Sequence, residues 1–386
     1  MPGAGRPCSQ AVVLVGGEGT RLRPLTSRVP KPVVPVVDRP FVGYILDSLA
    51  RHGVRHAVFS CGFLADAVRA TIGDGAAYGV AVDYVVEDRP LGTAGAIKNV
   101  EDLLDDGRLL AFNGDVLTDV DLSAMDEAHR RAAGLATILL TRVEDPRRYG
   151  LVRLDGDGRI TEFIEKPGPE FAGPGLINAG IYVLERRVLD LIPAGEPFSI
   201  ERGVFPQLAA QGVLHGFVSD AYWRDIGTPG SYLEAHFDIL SRSLSTKVGD
   251  ELGESCLYVS PSASLADDAR VVPPAYVGDD VTVGEGARVG PRAVVGPGSR
   301  LGAAAVVSES VVQDHVEIGA EAVIERSIVV RRVVVGPRTR VSRAVVGEAC
   351  DVGADNVIAD GCCLDPETVL PDGSVGFRDP EGVEGR

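Results

Sequence analysis

Val277-Gly278-Asp279-Asp280-Val281-Thr282-Val283-Gly284-Glu285-Gly286-Ala287-Arg288-Val289-Gly290-Pro291-Arg292-Ala293-Val294-Val295-Gly296 places a valine followed by glycine at every sixth position. The rhythm extends back through Val271, Leu265 and Val259 and forward to Leu301-Gly302. It blurs over residues 306–343 and returns at Val346, Val352, Ile358, Leu364 and Leu370. A period of six cannot be an α-helix, whose faces repeat every 3.6 residues, and the turns are too many and too short for a meander. The spacing predicts hexapeptide repeats stacked as a parallel β-helix, each turn burying its aliphatic residue in the shaft and using glycine at tight corners.

Upstream, to about residue 240, the pattern changes. Ala11–Val15 is a continuous apolar run of the kind found in a strand buried on both faces. Further strands are predicted at Ala57–Cys61, Ala81–Val86, Leu109–Phe112, Leu135–Thr141, Ile160–Ile164 and Ile177–Leu184, and helices at Phe41–Arg51, Leu64–Thr71, Thr93–Leu104 and Leu122–Ala132. Alternating β and α predicts an α/β domain with a mainly parallel sheet and helices on both faces, whose ligands bind at the carboxyl ends of the strands. The expected organisation is a domain over 1–240, a linker over 241–255, the β-helix over 256–375 and a flexible tail over 376–386.

Composition narrows the function. The 386 residues are 45% apolar, and 38 Lys+Arg against 55 Asp+Glu leave a net charge of −17. Nucleic-acid or anionic-membrane binding through clustered cations is thereby disfavoured. No apolar run approaches the roughly 18–20 residues that cross a bilayer, and Met1-Pro2-Gly3-Ala4-Gly5-Arg6 lacks the apolar core of a signal peptide. Six cysteines show no C-x-x-C pair, so neither disulfides nor a zinc site is expected. These observations predict a soluble cytoplasmic protein of two domains. Only four of the basic residues are lysine, namely Lys31, Lys98, Lys166 and Lys247. Each raises the question of why a compact ammonium is used where arginine would offer a planar fork.

The first strand runs into Gly16-Gly17-Glu18-Gly19-Thr20-Arg21-Leu22-Arg23-Pro24-Leu25-Thr26. No Gly-Lys-Ser/Thr follows, so this is not a Walker loop, and the glycine spacing is not that of a dinucleotide fold. Closely spaced glycines after a buried strand let backbone N–H groups approach an anion, and arginines add forked contacts to phosphate. In Arg28-Val29-Pro30-Lys31-Pro32, two prolines stiffen the backbone around a lysine. Together these strings resemble the signature of the sugar-1-phosphate nucleotidyltransferases, the nucleoside-diphosphate-sugar pyrophosphorylases. Further matching pieces follow in order: Glu87–Gly95, Phe112-Asn113-Gly114-Asp115, Tyr149-Gly150, Phe163–Pro167, Ile177-Asn178-Ala179-Gly180 and Trp223–Thr228. A hexapeptide β-helix, which in this repeat type coils left-handed, is also attached in several branches of that family.

The resemblance implies that a sugar 1-phosphate attacks a nucleoside triphosphate, giving a nucleoside-diphosphate sugar and pyrophosphate. A phosphate monoester is already largely dianionic near neutral pH, so such a site needs placement and charge neutralisation more than a base. By resemblance, Asp115 and Asp225 bind Mg²⁺, Lys31 binds the nucleotide phosphates, Lys166 the sugar phosphate, and Arg21 steadies charge during transfer. Leu14, Gly16, Gly17, Gly19, Thr20, Glu87, Gly92, Thr93 and Asn113 are expected around the nucleotide, with Thr93 also placed to cap a helix. Gly150, Glu165, Asn178 and Gly180 are expected around the sugar.

Pro90–Gly95, Val143–Gly150, Ile177–Tyr182 and Ser199–Pro206 resemble the mannose-1-phosphate guanylyltransferase branch. Glucose-1-phosphate transfer from UTP, dTTP or ATP is the alternative, and a non-catalytic sugar-nucleotide-binding subunit is an alternative of another class. The implied partners are a nucleoside triphosphate, a hexose 1-phosphate and, through the β-helix, further copies of the chain. His315 lies in the blurred stretch and is read as solvated surface, and Cys362-Cys363 as packing.

Overall fold

The computed structural model describes residues 7–62, 64–171, 173–359 and 361–376. The N-terminal hexapeptide and the segment 377–386 of the expected tail lie outside the described residues. Contacts divide the chain into two units. One comprises residues up to Glu18, Pro30–Val33 and Pro40–Asp225; the other comprises Gly19–Val29, Val34–Arg39 and the chain from Ile226.

In the first unit the chain runs through β1 (Gln10–Val15), α1 (Phe41–Arg51), β2 (His56–Cys61), α2 (Ala65–Ile72), β3 (Ala81–Val86), α3 (Gly92–Asn99), β4 (Arg108–Asn113) and β5 (Val116–Thr118). It continues through α4 (Leu122–Ala132), β6 (Ala136–Val143), β7 (Gly150–Leu154), β8 (Ile160–Glu165), β9 (Gly175–Glu185), α5 (Phe205–Ala210), β10 (Leu214–Val218) and β11 (Trp223–Asp225). The main sheet has the order β8-β7-β9-β4-β1-β2-β3, with β6 against β9 and β10 against β6. It is mixed. The β3-β2-β1-β4 half is parallel, whereas β9 pairs antiparallel with β4, β6 and β7.

β1 lies between two parallel neighbours with Ala11, Val12 and Val13 inaccessible, so its unbroken apolar run follows from burial on both faces. β5, β7, β10 and β11 fall outside the sequence reading, being short and without clean alternation. The helix expected over Thr93–Leu104 stops at Asn99 and resumes as a 3-10 turn at Glu101–Leu103. Two consecutive carboxylates, Glu101 and Asp102, would oppose the dipole at the carboxyl end of a longer helix.

In the second unit, α6 (Pro229–Leu240) opens with a capping box between Thr228 and Ser231 and with Pro229 in its first turn. α7 (Lys247–Leu252), capped by Thr246, occupies part of the stretch expected as linker. From Leu257 to Leu370, short strands form three parallel sheets of seven, seven and six members. The aliphatic residues of the hexapeptide rhythm line a continuous interior that includes Val277, Val283, Val289, Val295 and Leu301.

The register explains the blurred rhythm. Val259 pairs with Val277 and Val277 with Val295, eighteen positions on each time. Val295 pairs with Val312, Val312 with Val329 and Val329 with Val346, seventeen positions on, before Val346 pairs with Leu364 at eighteen again. Each short coil drops one residue at the same corner, after Val307, Ile324 and Val341, where Glu309, Arg326 and Arg343 take left-handed backbone angles. The stretch 306–343 is therefore regular, with one five-residue step per coil. His315 is exposed within it, at φ 56°. Cys362 packs against the interior as expected, but Cys363 is exposed, because side chains alternate across a strand.

Candidate active site

The carboxyl end of β1 and its neighbours carry the first cluster of expected residues. Gly114 N–H donates to Leu14 C=O at 3.0 Å, and a Cβ on Gly114 would lie 2.5 Å from that oxygen. Only glycine fits this approach, which turns the chain out of β4 and delivers Asp115 beside β1. β5 pairs antiparallel with β11, Val116 opposite Asp225, so the two aspartates lie next to each other across a two-stranded ribbon. Lys31 heads a 3-10 turn, Lys31–Val33, and is 8% exposed. Its Nζ lies 3.0 Å from Asp115 Oδ2 and 3.9 Å from Asp225 Oδ1. Residues distant in the chain thus converge on one ammonium.

A cavity of about 220 Å³ opens here, lined by Leu14, Val15, Gly17, Lys31, Pro32, Thr93, Asn113, Gly114 and Asp115. Asn113 Oδ1 is buried with no hydrogen-bond partner among the described residues. An orphaned acceptor of this kind is costly unless a ligand donor meets it. Glu87 is fixed from both oxygens, accepting from Ser60 Oγ and from Leu91 N–H, each at 2.9 Å.

Thr93 does not cap α3. The helix begins at Gly92, and the Thr93 hydroxyl donates to Glu201 Oε2 at 2.7 Å while accepting from Ile200 N–H at 2.9 Å. This ties α3 to the π-helical turn Ile200–Val204.

The second cluster surrounds β7, β8 and β9. Gly150 pairs with Glu165 across the β7–β8 ladder, and Lys166 N–H donates to Tyr149 C=O at 3.0 Å. Lys166 itself is exposed and sits at φ 52°, a left-handed angle for a side-chain-bearing residue that precedes proline. Burial pushes the Glu165 carboxyl above its ordinary value, and the nearby Glu201 charge pushes the same way. Asn178 is largely committed within the protein. Its Oδ1 accepts from Gly180 N–H and its Nδ2 donates to Tyr182 OH, both at 2.9 Å. These bonds brace the register break in β9 between Asn178 and Tyr182. At that break Gly180, at φ 79°, packs so closely on Asn113 that a Cβ would meet its amide at 2.8 Å.

Trp223 bridges the two clusters. Its Nε1 donates to Ala179 C=O at 2.9 Å and its ring meets Tyr149 edge to face at 5.4 Å. The sequence reading did not single out Tyr149, Glu201 or Trp223 individually, although each lies inside a string it quoted.

Gly16 and Gly17 follow β1 in the first unit. Gly19, Thr20 and Arg21 belong to the second, in a 3-10 turn, Thr20–Leu22, that buries Leu22 and leaves Arg21 exposed. Gly19 C=O accepts from the Thr26 hydroxyl at 2.7 Å, which closes the loop on itself.

The donor chemistry fits a hard divalent cation. Asp115 and Asp225 offer carboxylate oxygens around one cationic centre, and no group of three or more His, Cys, Asp or Glu placed to hold a metal ion occurs among the described residues. Mg²⁺ uses one or two protein carboxylates and completes its octahedron with water and substrate phosphate. Zinc would ask for nitrogen or sulfur ligands.

In sequence order these residues build a mixed α/β sheet with a glycine-rich loop after its first strand, then a parallel β-helix. The nucleotidyl transferase family model matches residues 10–242, and the chain belongs to that family. Residues 273–375 match the left-handed β-helix domain of the EIF2B epsilon subunit, which gives the hand of the solenoid. Mannose-1-phosphate guanylyltransferase of Mycobacterium tuberculosis is 42% identical over 66% of this chain and 72% of its own length. Mannose-1-phosphate guanyltransferase of Yarrowia lipolytica is 41% identical over 62% of this chain and 66% of its own. Among solved structures, HddC from Yersinia pseudotuberculosis superposes with a TM-score of 0.53 at 31% identity, covering 60% of this chain and 99% of that one. The same protein has been solved in complex with GMP-PN. The chain is thus a nucleotidyltransferase. Among the described residues no helix is long and apolar enough to cross a membrane.

Proposed function

We propose that this nucleotidyltransferase moves a guanylyl group from GTP to mannose 1-phosphate, releasing pyrophosphate and forming GDP-mannose in the cytoplasm. The observation that carries the reading is the convergence of Lys31 on Asp115 and Asp225 at the cavity of β1 and β4, in a chain 42% identical to a mannose-1-phosphate guanylyltransferase.

An oxygen of the sugar phosphate attacks the α-phosphorus of the triphosphate. A new P–O bond forms, the bond to the bridging oxygen breaks, and pyrophosphate leaves with that electron pair. The nucleophile arrives ionised, so the protein supplies alignment and countercharge. Lys31 and Arg21 balance the triphosphate. Lys166 holds the sugar phosphate, with Glu165, Asn178 and backbone at Gly150 and Gly180 around the sugar. Leu14, Gly16, Gly17, Gly19, Thr20, Glu87, Gly92, Thr93 and Asn113 surround the nucleotide. Asp115 and Asp225 would hold Mg²⁺, which when bound would supply countercharge to the reacting phosphates.

In this reading residues 1–240 form the catalytic domain and 256–375 carry self-association into a homodimer or higher oligomer. Sedimentation at micromolar concentration checks the latter, and a clean monomer overturns it. The reaction itself is tested by pyrophosphate release from five nucleoside triphosphates, each paired with mannose or glucose 1-phosphate in Mg²⁺. GTP with mannose 1-phosphate is expected to be fastest. Preference for another pair replaces the substrate assignment, and no release from any pair leaves a non-catalytic sugar-nucleotide-binding subunit.

A further inference from the structure

We propose, resting on the reading above, that in the free protein Lys31 acts as the resident cation of its own metal site and must vacate that position before a divalent ion can be held there. The ammonium lies 3.0 Å from Asp115 Oδ2 and 3.9 Å from Asp225 Oδ1, between the two groups that fit the ion. Two carboxylates brought this close repel unless a cation is shared between them, and here the chain supplies one.

The burial gradient points the same way. The Lys31 side chain is 10% exposed, against 39% for Asp115 and 23% for Asp225, so the lysine is the most deeply buried of the three and the carboxylates keep more access to solvent. An ion arriving at Asp115 meets a positive charge already in contact with the same oxygen. At such separations the repulsion is large unless one cation moves. Lysine can move: its head ends a flexible four-carbon stem, and a triphosphate entering the cavity that Lys31 lines offers an alternative anion. The prolines on either side, Pro30 and Pro32, hold the backbone while the stem swings. Metal affinity of the free protein is therefore held down by a residue that the transfer reaction needs, and nucleotide entry raises it.

The test uses Mn²⁺ alone. Free Mn²⁺ is followed by electron paramagnetic resonance during titration into the full chain, without nucleotide, for wild type, Lys31→Gln and Lys31→Met. Both variants are expected to bind Mn²⁺ roughly tenfold or more tightly than wild type. Adding Asp115→Asn to either should remove the gain. Equal or weaker binding in the Lys31 variants overturns the proposal, as does a gain that survives Asp115→Asn. If the exchange fails while wild type still releases pyrophosphate, the exchange alone is lost. If wild type releases pyrophosphate from no substrate pair, the functional reading fails whatever the Mn²⁺ result.

Discussion

Lys31 and Lys166 reach their positions by different backbone devices. Lys31 sits in a 3-10 turn between prolines, buried against two aspartates, whereas Lys166 is exposed on a left-handed residue at φ 52° that a neighbouring proline further disfavours. Strain held at one residue by the Tyr149 carbonyl suits a small charge that must point one way. Lys166→Arg keeps the charge but widens the head, and we expect KM for the sugar phosphate to rise by roughly tenfold with a smaller change for the nucleotide. Initial-rate kinetics in both substrates decide this; unchanged constants would contradict the point-charge argument. Asp115→Asn and Asp225→Asn each remove a carboxylate of the proposed metal site while keeping shape. Turnover should fall by roughly a hundredfold or more, with the thermal midpoint by circular dichroism nearly unmoved. Wild-type turnover in either variant takes that aspartate out of the metal site.

Among the elements, α6 carries the most telling buried polar pair. Tyr232 donates its hydroxyl to Pro35 C=O at 2.6 Å and accepts from Gln313 Nε2 at 3.1 Å, while the ring of His236, one turn on, stacks edge-on against it at 4.4 Å. His236 is 1% exposed, and burial pushes its imidazole down to about 4, only partly offset by the bond from Nδ1 to Tyr232 C=O. The unfolded chain binds this proton near the ordinary value of 6.5, the folded chain only near 4. Stability is therefore fully present above pH 6.5 and declines as pH falls between those values, by about 3 kcal/mol from this group. His129, His215 and His52 are also lowered by burial and add to the slope. Urea midpoints from pH 7.5 to 4.5 for wild type and His236→Phe isolate the share of His236. The variant should show the shallower decline, and parallel curves would refute the assignment.

At the scale of the whole molecule, legibility followed the physics of each part. The β-helix was readable because each hexapeptide step repeats one buried aliphatic position, and β1 because a strand covered on both faces needs an unbroken apolar run. Lys31, Asp115 and Asp225 were nameable only through the quoted strings. Their convergence depends on the Gly114 turn and the β5–β11 ribbon, and two three-residue strands leave no periodic trace. The commitments of Thr93 to Glu201 and of Asn178 to Tyr182 were illegible for the same reason, since side-chain partners are set by tertiary packing.

The seventeen-residue coils have a consequence of their own. Coils of both lengths close around one interior, so the corner between Val307 and Val312 acts as an expansion joint. A single glycine inserted after Glu309 should merely restore the longer coil, with a melting temperature within a few degrees of wild type. The same insertion between Val281 and Val283 would turn one rung inside out and should unfold the solenoid. Equal damage at both places would mean that the missing residue is as indispensable to its coil as the residues that remain. If the difference holds, natural variation in solenoid length within this family has a ready place to accumulate without disturbing a single buried valine.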